Sequence, residues 1–379
     1  MRMKIAFVYD VIYPYIKGGV EKRVWELAVR LSRRGHEVHI FGMKFWEGED
    51  ILMQEGVFLH GVCPAQQLYS GGRRTIWQAL SFSIHLFFPL SRGKFDIIDC
   101  QQFPYLSCFS AKFISGVKKI PLVITWHEIW SDYWYEYIGW KGFFGVTIER
   151  LAARLTSDTI AVSRTTANNL KELGISAPVK IIPNGVDLTN IKSIRPADQT
   201  SDIIFAGRLI REKHVDLLLQ AFSILLSEHP GYCLTIIGDG PERNTVSTLI
   251  TKLAIEARVR FLGFQENHDM ILAYMKSSKI CVLPSTREGF GITALEGLAC
   301  GLPVVTIDHP ANAIRELINE RNGFLCPLTA KDLAETISSG LKHHAEMRNA
   351  CIETADLYDW DSITRDIETF YRSVIKTEK

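Results

Sequence analysis

Short apolar runs alternate with amphipathic stretches along nearly the whole chain. In the first half, the apolar runs begin at 4–9 and continue to 179–182, and a helix predicted over 20–34 ends at Gly35. The pattern starts again at 202–206 and continues to 304–306. Alternation of strands with helices predicts parallel sheets covered by helices on both faces. Two such series in 379 residues predict an α/β protein made of two doubly wound domains.

The boundary between the two series falls near the middle of the chain. Residues 189–201 are polar, contain Pro196 and show no periodicity, so we interpret them as the linker. We expect an N-terminal domain over 1–185 and a C-terminal domain over 186–360. The tail has the pattern of a long amphipathic helix over 359–375.

Composition excludes several classes of protein. The formal net charge of +1 gives no overall field for nucleic acid, so we expect no nucleic-acid partner. Eight scattered cysteines without a C-x-x-C pair predict reduced thiols and a cytoplasmic protein. The charged first residues lead directly into a predicted strand, so we expect no signal peptide. The longest apolar run, 76–90, is interrupted by Gln78 and His85 and is too short to span a bilayer.

The segment EGFGITALE, over 288–296, carries two glutamates around a Gly-x-Gly turn. Gly289 and Gly291 let a ligand approach the backbone, and the helix that follows favours an anion at its start. Glu296, about one turn into that helix, can accept hydrogen bonds from a ribose diol, and Glu288 can meet a second polyol. An isolated pair of glutamates at this spacing is usually solvated. The buried strands predicted on both sides favour a sugar-nucleotide site instead.

Other residues at predicted strand ends extend this hypothesis. Arg208 and Lys213 follow the first strand of the second series and could hold a diphosphate, although two such cations are often simply solvated. His127 follows a strand predicted over 122–125, where a histidine is more often structural. Gly18 and Gly19 follow the first strand, where they form either a flexible turn or an anion site. No G-x-G-x-x-G follows that strand, which argues against a nicotinamide dehydrogenase.

The order and spacing of these motifs resemble those of the retaining glycosyltransferases of family 4, which have the GT-B fold. The motifs include KGGVEKRVWELAVRL, TWHE, IIPNGVD, FAGRLIREKHVD, LTIIGDGPE, VRFLGF and LPSTREGFGITALEGLACGLPVV. The resemblance covers nearly the whole chain. It implies two Rossmann-like domains that face each other across a cleft, with the C-terminal helix, 361–379, crossing back to the N-terminal domain.

The resemblance also implies roles for particular residues. The expected catalytic residues are His127, Arg208, Lys213 and Glu288. The expected donor-binding residues are Gly18, Gly19, Asn184, Gly238, Gly263, Phe264, Phe290, Gly291, Ile292 and Glu296. By their own chemistry, Asn184 can also be a simple turn residue and Gly238 can simply open the next helix.

The implied reaction moves a sugar from a nucleotide-sugar to an acceptor hydroxyl with retention of configuration. We expect a UDP- or GDP-sugar donor, a sugar, glycan or lipid-linked acceptor, no cofactor and no metal ion, since no Asp-x-Asp has suitable flanks. We favour front-face displacement over a covalent intermediate. The alternatives are a catalytically silent nucleotide-sugar-binding protein, a nucleotide-sugar epimerase on the same fold, and a phosphorylase or sugar-phosphate synthase that uses a soluble acceptor.

One apolar stripe allows two interpretations. Three- and four-residue steps place on one face of a predicted helix Trp77, Leu80, Ile84, Phe87 and Phe88. Such a stripe usually packs on a core, and this is the interpretation that we favour. The alternative is a peripheral membrane face at the inner surface of the membrane, flanked by Arg73 and Arg74 before the helix and by basic residues after it, with the aromatic-rich stretch 126–144 nearby.

Overall fold

The computed structural model describes residues 2–70 and 73–377, with the backbone alone for Tyr69, Ser70 and Arg73. The chain divides into two compact units. The first unit comprises Met1–Asn184 together with Trp360–Lys379, and the second comprises Gly185–Asp359.

The first unit contains an eight-stranded sheet and a separate two-stranded ribbon. In chain order, the strands of the unit are β1 (Lys4–Val8), β2 (Glu37–Lys44), β3 (Ile51–Gln54), β4 (Val57–Pro64), β5 (Tyr69–Ser70), β6 (Arg73–Arg74), β7 (Ile97–Gln101), β8 (Leu122–Trp126), β9 (Thr159–Ala161) and β10 (Val179–Ile181). The order in the large sheet is β10-β9-β8-β7-β1-β2-β4-β3, and β5 pairs with β6. All pairs in the large sheet are parallel except β3 with β4.

Helices connect these strands. They are α1 (Gly19–Arg33), α2 (Ile76–Arg92), α3 (Leu106–Lys118), α4 (Tyr133–Ile138), α5 (Gly142–Ala152) and α6 (Arg164–Glu172). The strand order reverses between β1 and β7, and in doubly wound sheets such a switch point opens a crevice at the carboxyl ends of the strands. The first unit therefore has its natural ligand edge beside the ends of β1, β7 and β8.

The second unit contains a parallel six-stranded sheet. Its strands are β11 (Ser201–Ala206), β12 (Leu234–Ile237), β13 (Val259–Gly263), β14 (Ser278–Leu283), β15 (Val304–Ile307) and β16 (Gly323–Cys326). Its helices are α7 (Leu188–Ser193), α8 (Val215–Glu228), α9 (Arg243–Lys252), α10 (His268–Lys276), α11 (Ile292–Ala299) and α12 (Ala330–Asp356). The order β13-β12-β11-β14-β15-β16 places its switch point between β11 and β14. The two doubly wound sheets confirm the predicted fold class.

The C-terminal helix α13 (Trp360–Thr377) belongs to the first unit, as the resemblance implies. Its inner face is apolar, and Trp360 is fully buried there. On its rim, Glu368 accepts a 2.7 Å hydrogen bond from the guanidinium of Arg34, the C-cap residue of α1. Burial by itself would raise the pKa of Glu368, but hydrogen bonds from Arg372, Arg34 and other neighbours together outweigh it and lower the pKa to about 2. An apolar face and a charged rim thus fix the end of the chain on the first unit.

The predicted linker is wrong. Residues 189–201 belong to the second unit, where Leu188–Ser193 forms α7. The Asp187 carboxylate caps this helix by accepting a 2.9 Å hydrogen bond from the Asn190 amide, and Ile191 is buried. The amide of Ser201 donates to the carbonyl of Ser277. One helix cap and two buried apolar residues, Leu188 and Ile191, order a segment whose sequence resembles a polar linker.

The interpretation of the α2 stripe as core is also wrong. The face that packs inward carries Gln78, Phe82, Leu86 and Leu90, spaced four residues apart and all at most 1% exposed. The predicted stripe points outward, with Trp77 79% exposed and Phe88 61% exposed. Because α2 is apolar on most of its circumference, periodicity identified a helix but could not tell which side the sheet would cover. Among the described residues, the helices lack the combination of length and hydropathy that a membrane span requires.

Candidate functional site

Three loops meet at the carboxyl ends of β11, β12 and β13. The amide of Gly207 donates to the carbonyl of Ile237 at 2.9 Å, and the amide of Gly238 donates to the carbonyl of Gly263 at 2.8 Å. Gly238 has φ of +140°, and a Cβ there would lie 1.9 Å from the carbonyl oxygen of Gly207. Only glycine permits this approach. Backbone contacts therefore place two predicted donor-binding glycines, Gly238 and Gly263, side by side.

The loop after β11 also reaches the Gly-x-Gly segment. The amide of Thr286 donates to the carbonyl of Glu212 at 3.0 Å, and the Thr286 hydroxyl is 3.0 Å from Nε2 of His214. This clamp brings Lys213 against Glu288, and the Lys213 Nζ donates to Glu288 Oε1. Both side chains are less than one-fifth exposed. Two predicted site residues 75 positions apart thus form an ion pair, whereas the Arg208 side chain, after β11, is exposed.

The turn before α11 requires glycine. Gly291 is the N-cap of α11 with φ of +94°, and a Cβ there would lie 2.3 Å from Cγ1 of Ile314. The ring of Phe290 is buried and lies 5.9 Å from the ring of Tyr358, centroid to centroid. A donor contact at Phe290 would therefore come from its backbone. Ile292, half-buried, is the first residue of the helix.

Glu296 has a partner that the sequence did not indicate. Its carboxylate, 4% exposed in α11, lies 2.8 Å from Nε2 of His268. His268 begins α10, which Asn267 caps through a 3.0 Å hydrogen bond from the Asp269 amide. The only sequence signal was a capping asparagine before a helix, which says nothing about Glu296. Phe264, which follows Gly263 at the end of β13, is 56% exposed.

In the first unit, Gln101 at the end of β7 and Gln102 directly after it hold His127 at the end of β8. Its backbone amide donates to Oε1 of Gln102 at 2.9 Å, and its ring Nε2 lies 2.8 Å from Oε1 of Gln101. Burial, with a smaller effect from the charge of Arg23, lowers the pKa of His127 well below its ordinary value. The imidazole is therefore neutral near pH 7. A neutral ring suits a positioning role and not the donation of a proton.

The other predicted residues of this unit lie around α1. Gly18 and Gly19 are exposed at the start of the helix, and a Cβ on Gly18 would lie 2.6 Å from a carboxylate oxygen of Glu21. Asn184 is buried, and its Oδ1 accepts a 3.0 Å hydrogen bond from the buried Arg23 guanidinium. The same guanidinium donates to the carbonyl of Ile182 at 3.0 Å. Arg23 therefore anchors the turn that contains Asn184.

Sequence analysis missed a polar cluster at the end of β1. Asp10 is fully buried, and its carboxylate accepts hydrogen bonds from Gln78 Nε2 at 2.6 Å and from the Arg74 guanidinium at 3.2 Å. Arg74, which the alternative interpretation of α2 placed beside a peripheral membrane face, forms this ion pair instead. Burial raises the pKa of Asp10, and burial raises that of the neighbouring Glu21 to about 7. Glu21 stands three positions after Gly18, a spacing that could have drawn attention to it.

Comparison with known proteins identifies the class to which these units and loops belong. The chain superposes on solved glycosyltransferases of the GT-B fold. Sucrose-phosphate synthase from Thermosynechococcus elongatus aligns over 99% of this chain and 100% of its own, with a TM-score of 0.82 and 20% identity. Anabaena HepE, solved in complex with UDP-glucose, aligns over 98% of this chain and 100% of its own, with a TM-score of 0.76 and 21% identity. These likenesses confirm the GT-B fold.

Two family models place the chain more narrowly. Glycosyltransferase Family 4 matches residues 17–190, and Glycosyl transferases group 1 matches residues 187–357. The chain belongs to glycosyltransferase family 4, which confirms the resemblance.

Curated relatives agree with this family. The phosphatidylinositol N-acetylglucosaminyltransferase gpi3 subunit of Schizosaccharomyces pombe is 24% identical over 97% of this chain and 80% of its own length. The N-acetyl-alpha-D-glucosaminyl L-malate synthase of Bacillus anthracis is 27% identical over 100% of this chain and 99% of its own.

Glu21 makes the stability of the protein depend on pH. Because burial raises its pKa in the folded state, the folded chain holds a proton between about pH 4.5 and 7 that the unfolded chain releases. Stability is therefore lost as the pH rises through this window. Glu21→Gln mimics the protonated carboxyl, so we expect its stability advantage over the wild type to grow between pH 5 and pH 8 and to reach about 3 kcal/mol.

Unfolding midpoints at the two pH values measure this effect. Glu55→Gln, which removes an exposed carboxylate of the same unit, is the control for the loss of one acidic group. An advantage of Glu21→Gln that is equal at pH 5 and pH 8 would show that Glu21 is already ionised in the folded protein at pH 5.

Proposed function

We propose that the protein transfers a sugar from a UDP- or GDP-sugar to an acceptor hydroxyl, with retention of anomeric configuration and without a metal ion or other cofactor. The observation that carries this proposal is the Lys213–Glu288 ion pair at the carboxyl edge of the second sheet, next to the start of α11. The similarity to Anabaena HepE, which was solved in complex with UDP-glucose, favours UDP among the two nucleotides.

An anionic donor would change the partner of Lys213. A diphosphate is a stronger acceptor for the ammonium than one carboxylate, and the amides at the start of α11 favour an anion in the same region. Glu288 would then exchange Lys213 for a hydroxyl of the donor sugar. Lys213 and Arg208 would stabilise the charge that develops on the leaving diphosphate, the role that a metal ion fills elsewhere.

The nucleoside end of the donor has its own candidate contacts. Glu296 is almost fully buried and can accept hydrogen bonds from a ribose diol, with His268 fixing the carboxylate. The crowded backbone at Gly238 and Gly263 would meet the base, and the exposed ring of Phe264 stands directly after it. Contacts through backbone atoms explain why side-chain identity in this region gives little information about the base.

The groups that are present support the proposed front-face displacement. Front-face displacement needs no enzyme nucleophile, because the acceptor hydroxyl enters on the side where the diphosphate leaves and a phosphate oxygen takes its proton. Glu288 is engaged with Lys213, and the neutral His127 of the first unit is suited to orienting the sugar. Both observations favour catalysis by orientation and electrostatic stabilisation.

The two glutamates should separate binding from turnover. We expect Glu296→Ala to weaken UDP binding by about 1.5–3 kcal/mol, because a charged hydrogen-bond partner is lost. Glu288→Gln should chiefly lower turnover, and Lys213→Met should lower the rate on the order of 10²-fold. Because Lys213 and Glu288 contact each other, their double variant should lose less than the sum of the single losses.

Calorimetry with UDP and the rate of UDP release from UDP-glucose provide the measurements. Lys279→Met removes a comparable 2.8 Å ion pair, with Asp202, from the same unit and should leave both quantities unchanged. If the two glutamate variants bind and turn over like the wild type, the site assignment is wrong. UDP binding without any release of UDP from UDP-glucose, with or without an acceptor, would support the silent-binder alternative.

Activity should survive an excess of EDTA, because the cations of the proposed site are side chains and not metal ions. The measurement compares UDP release before and after chelation. Loss of activity that Mg²⁺ or Mn²⁺ restores would refute the metal-independent mechanism.

We further propose that the acceptor is lipid-linked and that the protein meets it through a peripheral face formed by α2 and α3. The two helices pack in parallel, since Ser83 contacts Ser110 and Phe87 contacts Phe113. Their outer surfaces carry Ile76, Trp77, Ile84, Phe88, Phe113 and Val117, each more than half exposed. We call this surface the α2–α3 face.

Charge indicates an anionic membrane as the occupant. Because the helices are parallel, their carboxyl ends lie together, where the exposed basic residues are Arg92, Lys94, Lys118 and Lys119. Arg92 also stacks 3.6 Å from the ring centroid of Phe88, which places a cation at the margin of the apolar surface. Apolar side chains bordered by cations match the interface of a membrane that contains anionic lipids.

The aromatic stretch 126–144 is divided between the interior and the surface. The rings of Trp130 and Trp134 pack 4.7 Å apart, centroid to centroid, and Trp134 is 9% exposed. Trp140 and Phe143, by contrast, are 77% and 60% exposed. The names of the relatives do not decide the acceptor, because one mentions phosphatidylinositol and the other L-malate.

Flotation with anionic vesicles tests the membrane proposal. The wild type should float at low salt, and Trp77→Ser/Ile84→Ser should weaken binding through lost apolar contact. Lys118→Glu/Lys119→Glu should weaken it by on the order of tenfold or more, since each basic residue near the surface contributes about 1 kcal/mol.

Two matched controls accompany these variants. Ile51→Ser/Met53→Ser removes exposed apolar residues elsewhere in the first unit, and Lys331→Glu/Lys342→Glu reverses exposed charges in the second. Both should float like the wild type. A wild type that stays in the soluble fraction with anionic lipid at low salt would favour a soluble acceptor.

A further inference from the structure

A chain of buried hydrogen bonds runs from the C-terminal helix to His127. The hydroxyl of Tyr371, in α13, donates to Oδ2 of Asp99, in β7. Nε2 of Gln101 donates to Oδ1 of Asp99 at 3.0 Å, and Oε1 of Gln101 lies 2.8 Å from Nε2 of His127. Asp99 and Gln101 are at most 2% exposed, and Tyr371 is fully buried. Four side chains from three separate elements thus form one continuous path.

The donor and acceptor chemistry fixes the direction of the bonds along this path. Oδ1 of Asp99 accepts from Gln101 and, at 2.8 Å, from the hydroxyl of Thr125, so it faces donors on two sides. The amide nitrogen of Gln101 must therefore point toward Asp99, and its oxygen must point toward His127. An amide oxygen only accepts, so His127 carries a proton on Nε2.

The protonation of Nδ1 in His127 follows from that of Nε2. His127 is neutral because burial keeps its pKa low, and a neutral imidazole with a proton on Nε2 has none on Nδ1. The backbone amide of His127 donates to the side-chain oxygen of Gln102. The ring tautomer and the backbone position of His127 are therefore set by two separate partners, Gln101 at the end of β7 and Gln102 directly after it.

We propose that Asp99 and Tyr371 are positioning residues, which act through Gln101 to fix the tautomer and the orientation of His127. The proposal rests on the sugar-positioning role given to His127 in the proposed function. The C-terminal helix then has two roles. It packs on the first unit, and through Tyr371 it helps to orient His127 at the end of β8.

A purely packing role for Tyr371 would not require this path. Its ring already lies against Phe7, 6.5 Å away between centroids, and Asp99 also accepts a hydrogen bond from the hydroxyl of Thr125. The link from Asp99 through Gln101 adds nothing to the packing of α13. It does determine which end of an amide faces a histidine at the ligand edge of the sheet.

NMR of the full-length protein with ¹³C- and ¹⁵N-labelled histidine tests the proposal. His127→Gln identifies the His127 signals, whose ring shifts distinguish the two neutral tautomers. We expect the wild type to show the Nε2–H form. Asp99→Ala removes the acceptor of the Gln101 amide, so that Gln101 can present either end and His127 becomes a mixture of both tautomers. A wild-type ring in the Nδ1–H form would overturn the proposal, as would an Asp99→Ala ring that keeps the wild-type tautomer alone.

Tyr371→Phe provides a gentler variant should Asp99→Ala fail to fold. We expect faster solvent exchange of the His127 Nε2–H and an increased share of the Nδ1–H form. The matched control is Tyr105→Phe, which removes a buried 2.6 Å tyrosine–carboxylate hydrogen bond, with Glu149, from the same unit. Identical His127 signals in the two variants would overturn the role of Tyr371. The measurement requires no donor or acceptor, so its failure is separate from a failure of the proposed transferase activity.

Discussion

The parallel pairing of the strands is the constraint on which the rest of the molecule depends. Parallel strands are connected by crossover segments, which are usually helices. As a result, the carboxyl ends of all parallel strands in a sheet lie at the same edge. In the second unit, this edge collects the loops that carry Gly238, Gly263 and Lys213 from distant parts of the sequence. In the first unit, it collects the ends of β1, β7 and β8. The polar chemistry of each unit is therefore a consequence of topology.

Features that depend on local patterns could be predicted from the sequence. The strands around Ile280 and Val304 could be predicted because a buried parallel strand is apolar along its whole length. Gly238 and Gly291 could be singled out because neighbouring atoms approach the backbone there so closely that only glycine fits. The outward face of α2 could not be predicted, because an apolar helix gives no sign of which side will be covered. The polar segment after Asp187 was misread because a helix of six residues is too short to show a period.

The site shows the same limit in a sharper form. Lys213 was expected near a diphosphate and Glu288 near a sugar. Their mutual ion pair required the clamp between Glu212 and Thr286, which only the folded chain reveals. His268 could not be assigned to Glu296, because the two lie on different helices and share no motif. Sequence patterns thus identify groups that can bind, whereas the partners of these groups depend on tertiary contacts.

Those partners determine the charge and the protonation of the candidate residues. A buried charge is costly unless it is paired, and Lys213 and Glu288 compensate each other's charge. In the proposed function, a bound donor would replace this ion pair with contacts to its diphosphate and its sugar. His127 avoids the same cost by remaining neutral, and its single proton is then placed by the acceptor that it faces. Because that acceptor belongs to Gln101, which Asp99 orients, the electrostatics of a residue at the ligand edge depend on a carboxylate deep in the sheet. Tyr371 binds that carboxylate from the last helix of the chain, so the closure of the fold and the preparation of the site depend on the same buried group.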